Sequence, residues 1–153
     1  MSETNRITRI CSIDGLNEKL SSAIRAHIQK FQLGDFESSV LMGCETTSIQ
    51  KKKGFFGGSE KAISAVFVSP QWLVWTECVN DKIVEVNSAM LKHIEIHDYA
   101  SSAMGTISPD TGMNITGRYS DVGKTGQAFI GVGPEEAGIK FRAVLHDAMN
   151  ALS

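Results

Sequence analysis

Between residues 38 and 133 the chain repeats one pattern: short runs rich in Val, Ile, Thr, Phe and Trp, each closed by Gly, Pro, Asn or Asp. Seven such runs stand at 40–49, 62–69, 72–79, 82–86, 93–99, 113–119 and 127–132. Runs of this length and composition read as strands. Parallel neighbours need crossovers of a dozen or more residues, so strands joined by tight turns must pair antiparallel. The two tightest turns are Ser69-Pro70-Gln71 and Asn80-Asp81. Proline presets φ near −65°, and Asn and Asp tolerate the left-handed region.

Helical periodicity flanks the strands. Leu16, Leu20, Ala23, Ile24, Ile28 and Phe31 recur at three- and four-residue steps, which predicts an amphipathic helix over 14–32 with Asp14 as N-cap and Gly34 as its stop. Residues 1–13 are polar and aperiodic and read as a leader. At the other end Gly133-Pro134-Glu135-Glu136 reads as a helix start. Phe141, Val144, Leu145, Ala148, Met149 and Leu152 then lie on one face. The predicted helix 134–152 has to cover a sheet, because an isolated helix of this length is marginal in water.

Composition narrows the function classes. A formal net charge of −2 is unlike a nucleic-acid binder, which carries a dominant basic face. Three cysteines, Cys11, Cys44 and Cys78, have neither CxxC nor zinc-finger spacing and fit a reducing, cytoplasmic setting. No apolar run approaches the roughly 20 residues of a membrane-spanning helix, and no secretory leader is recognisable.

The order of strands and closing helix resembles the pleckstrin-homology-like superfold, in its bacterial and GRAM-type branch. The resemblance rests on Ala65-Val66-Phe67-Val68-Ser69-Pro70-Gln71-Trp72-Leu73-Val74-Trp75, on 91–99, on Gly126-Gln127-Ala128-Phe129-Ile130-Gly131-Val132 and on the Phe141 to Leu152 helix, so it spans 38–152. It departs from eukaryotic members in having no Trp in the last helix and in carrying the extra helix at 14–32. The resemblance implies a mainly β, α+β fold: a seven-stranded antiparallel barrel closed by a C-terminal helix. It divides the chain into 1–34, a leader and amphipathic helix, and 35–153, the barrel domain. It also implies a binding or scaffolding module without catalytic machinery.

Candidate sites follow. Lys51-Lys52-Lys53-Gly54-Phe55-Phe56-Gly57-Gly58 and Lys61 set cations beside two phenylalanines, the chemistry that meets an anionic lipid surface. In the resembling family this loop often holds a phosphorylated headgroup; here Lys61 is followed by Ala62 and Ile63 and the basic-x-arginine half is missing. Trp72 and Trp75 fall on opposite faces of one strand, which predicts one core and one exposed tryptophan, the latter a protein-contact anchor. Gly123-Lys124-Thr125 fails as a phosphate loop, because Arg118 occupies the place of its first glycine. His93, Glu95 and His97 share one strand face but lack a fourth ligand, and read as solvated. No serine elbow or Cys–His pair appears, Glu135-Glu136 reads as helix capping, and the chain requires no cofactor. The expectation is a non-enzymatic module acting through contacts with an unidentified protein and with copies of itself. Anionic membrane or a phosphorylated ligand at the Lys51 loop is the alternative.

Overall fold

A computed structural model describes residues 3–51, 59–98, 112–120 and 125–152. Strands β1 (Glu3–Ile10), β2 (Met42–Lys51), β3 (Ser59–Val68), β4 (Trp72–Val79) and β5 (Lys82–Met90) form one antiparallel meander, in that order. Strands β6 (Ile94–Asp98), β7 (Gly112–Arg118) and β8 (Thr125–Gly131) form a second. Helices α1 (Glu18–Lys30), the single-turn α2 (Phe36–Ser39) and α3 (Glu136–Asn150) complete the fold.

The expected seven-stranded closed barrel is not formed. A barrel requires one hydrogen-bonded ladder running through every strand. Here the ladder stops after Met90, where Leu91–His93 coil into a 3-10 turn, and the chain starts a separate three-stranded sheet. Among the described residues there are eight strands, because the segment expected to be a leader supplies β1. It pairs with β2 from Glu3↔Lys51 to Ile10↔Cys44.

The five-stranded sheet is covered on both faces. On the inner face Cys44, Val66, Val68, Leu73, Trp75 and Ala89 pack against Met113, Ile115 and Ile130 of the second sheet, and against Phe141, Leu145 and Ala148 of α3. On the outer face Ala65, Phe67, Val74 and Cys78 meet Leu20 and Ile24 of α1, together with Ile13, Leu16, Leu33 and Phe36. Burial on both sides explains β4, whose residues Leu73 to Thr76 are buried without alternation.

Local chemistry sets the helix ends. Asn17, not Asp14, caps α1: its Oδ1 accepts from the Leu20 amide at 2.9 Å, while Asp14 pairs with Arg25. The helix ends at Lys30, and Gln32 (φ 56°) and Gly34 (φ 63°) take the left-handed conformations that turn the chain away.

The junction between β8 and α3 is tied to β1. Thr8 Oγ1 lies 2.7 Å from Thr46 Oγ1 and accepts from the Gly133 amide at 2.7 Å. The Thr8 amide donates to Glu135 Oε1 at 3.0 Å, so a carboxylate expected only to favour the helix start also occupies an amide on the edge of the sheet. Arg142 donates to the carbonyls of Gly133 and Val132 at 3.1 and 3.3 Å, fixing the same turn from the helix side.

Candidate functional site

The inner face of the five-stranded sheet changes character along the strands. Read across the register, one row is Met42, Val68, Leu73 and Ala89, and the next is Cys44, Val66, Trp75 and Asn87. Both are mainly apolar and lie under the second sheet and α3. The following row is Thr8, Thr46, Ser64, Glu77 and Glu85, and the one after it begins Arg6, Ser48, Ala62. Side chains two residues apart share a face, so these polar groups occupy positions that would otherwise extend the core.

Above the polar rows the sandwich is open. A cleft of about 440 Å³ lies between them and Ala128–Gly131 of β8, with Arg6, Glu60, Glu77, Glu85 and Asn87 among its walls. Trp75 and Phe129 add aromatic surface. Arg6 packs against β8. Its guanidinium carbon lies 5.5 Å from the centre of the Phe129 ring. A Cβ at Gly131 would stand 2.5 Å from its Nε, so glycine makes room for the arginine. Burial pulls the Arg6 value below the ordinary one, and the charge of Glu77 opposes that shift. Ser64 Oγ donates to the Gly131 carbonyl at 3.2 Å and holds the far wall in place.

Glu77 and Glu85 are directly opposed across β4 and β5, at the step before the register shift between Glu77 and Cys78. Like charges directly opposite destabilise a strand pair. The cleft therefore holds an arginine from β1, three carboxylates, Glu60 of β3, Glu77 of β4 and Glu85 of β5, and the hydroxyl groups of Ser48 and Ser64. It is suited to holding a polar group by hydrogen bonding.

The residues singled out in the sequence are dispersed. Lys51 ends β2, its backbone paired with Glu3 and Ser59, while Lys52, Lys53, Phe55 and Phe56 lie outside the described residues. Lys61 is exposed on β3, and its backbone exchanges hydrogen bonds with Asn80 across the hairpin. Trp72 is half-buried against the outer core. Trp75 is buried in the inner one, edge-on to Tyr119 with 5.0 Å between ring centres, and forms part of the cleft wall. Glu95 and His97 are exposed and meet at 3.4 Å. Among the described residues no three potential ligands cluster for a metal, and no helix is long and apolar enough to cross a membrane. Cys44 is fully buried, and loss of hydration pushes its thiol up to about 12.

Sequence reasoning did not single out Arg6, Ser48, Ser64, Glu77, Glu85 or Phe129. The available signal was the register: once the hairpins are aligned, the polar residues of β2, β3 and β4 fall on the face that carries Val66 and Trp75. Comparison with known proteins found no matching family model, no matching curated protein and no matching solved structure.

Proposed function

We infer that the chain is a non-enzymatic binding module whose principal site is the cleft between the two sheets. The observation that carries this reading is the pair of polar rows, Arg6 with Ser48 and Ser64 with Glu77 and Glu85, at inward-facing positions of a sheet whose remaining inner face is apolar core. Glu77 and Glu85 are exposed to solvent in the cleft and directly opposed, and like charges so placed weaken the pairing of β4 with β5. The volume suits a small molecule or a few residues of a partner chain. The test is an amide-resolved NMR screen of 15N-labelled protein with a set of anionic, cationic, zwitterionic and neutral fragments. The expected result is saturable shifts at Ser48, Ser64, Glu77 and Phe129. Shifts confined to other surfaces would overturn the assignment.

A second reading, contact between copies of the chain, is favoured by the uneven cover of the outer face. α1 lies over β4 and β5, whereas Ile7 of β1 is 70% and Ile49 of β2 39% exposed on that same face. Light scattering of the purified chain should show an oligomer that Ile7→Glu dissociates. A monomer at high micromolar concentration would remove this reading.

A further inference from the structure

We propose that the inter-sheet cleft takes a neutral, hydroxyl-rich molecule of the size of a mono- or disaccharide. The proposal rests on the cleft being the binding site and adds the ligand's chemistry. The polar rows mix several kinds of hydrogen-bonding group. Ser64, Glu77 and Glu85 stand opposite one another on β3, β4 and β5, in successive interstrand steps of about 5 Å. Asn87, two residues beyond Glu85 on β5, and Ser48 on β2 also line the cleft.

These groups ask different things of a ligand. The carboxylates of Glu60, Glu77 and Glu85 accept hydrogen bonds and do not donate them. The Asn87 amide and the Ser48 hydroxyl do both. Ser64 Oγ donates to the Gly131 carbonyl and keeps its capacity to accept. A ligand hydroxyl donates to the carboxylates and serves the amide and the serines in either sense. An ammonium only donates, so it leaves the Asn87 N–H groups unmet. A carboxylate only accepts, and it meets three like charges. The match does not depend on how Arg6 is engaged. A carboxylate has about four lone-pair sites, so one that already has a partner in the protein still accepts from a ligand.

Phe129 suits the remaining surface of such a molecule. It belongs to β8, on the other wall of the cleft, and is 37% exposed. A sugar ring carries C–H groups on its faces and hydroxyls at its rim. It can lay a face on the phenylalanine while rim hydroxyls reach the polar rows, and about 440 Å³ accommodates a molecule of this size.

The experiment titrates glucose, galactose, mannose and maltose, beside glucosamine and glucuronate, into the full 15N-labelled chain and follows the amide spectrum. At least one neutral sugar should give saturable shifts at Ser48, Ser64, Glu77 and Asn87. Both charged sugars should bind more weakly than the best neutral one, glucuronate by about tenfold. Glu77→Gln with Glu85→Gln should retain saturable binding of that sugar, because an amide oxygen still accepts, whereas Glu77→Leu with Glu85→Leu should abolish it. Tighter binding of glucosamine than of every neutral sugar, lost in the double Gln variant, would overturn the neutral ligand and leave the cleft standing as a site. Failure of every sugar to saturate, while other fragments do so in the cleft, would have the same meaning. Absence of any saturable shift in the cleft, across the sugars and the fragment set, would overturn both.

Discussion

At the scale of residues, the most consequential side chain outside the cleft is Thr8. Its hydroxyl meets Thr46 and the Gly133 amide, and its own amide is taken by Glu135, so one residue joins the sheet edge to the turn that launches α3. Thr8→Val keeps the shape and strands the buried Gly133 N–H, so a loss of about 1–3 kcal/mol is expected in urea denaturation. Thr8→Ser should recover most of it. Cys44 gives a second prediction. Its thiol is held near 12 in the fold against an ordinary 9, so the unfolded chain loses the proton first. The stability this contributes is complete below pH 9 and is lost as pH rises toward about 12. Cys44→Val should flatten that alkaline fall. In the native protein at pH 8 Cys44 should resist a thiol reagent that modifies it readily in denaturant; rapid native modification would contradict the burial.

At the scale of elements, α1 is part of the fold. Leu20 and Ile24 are fully buried against the outer face of β3 and β4. Leu20→Ala should cost about 2–5 kcal/mol, and a chain starting at Gly34, which loses both α1 and β1, should not unfold cooperatively. A cooperative transition from that chain, at the wild-type midpoint, would show the elements to be appendages. The two helices were legible in sequence because Leu20 and Ile24, and Phe141 and Leu145, repeat at helical spacing on faces that are in fact buried. The hairpins from β3 to β5 were legible because Pro70 and the Asn80-Asp81 pair mark their turns, and Asn80 and Asp81 do adopt positive φ. β1 was not. Its apolar Ile7 lies on the exposed face and its inward residues Arg6 and Thr8 are polar, which inverts the pattern by which a half-buried strand is recognised. The cap of α1 was misplaced by three residues because Asp14 and Asn17 are both competent, and Arg25 takes Asp14.

At the scale of the whole molecule, the number of sheets was beyond sequence pattern. Period-two alternation identifies strands but does not say where a ladder breaks, and the break at Leu91–His93 separates two open sheets from a barrel. The cleft follows from that break together with the polar rows, so no single motif announces it. It draws Arg6 from one edge strand, Glu85 from the other, and Phe129 from the second sheet, residues far apart in the chain. The central claim is that these inward charges are kept for binding and not for folding. Urea denaturation of the double variant Glu77→Val, Glu85→Val tests it most directly. Removing opposed like charges and adding β-branched side chains should raise stability by about 1 kcal/mol, with binding in the cleft lost. A loss of about 1 kcal/mol or more would contradict the claim, because the carboxylates would then be holding the sheet together.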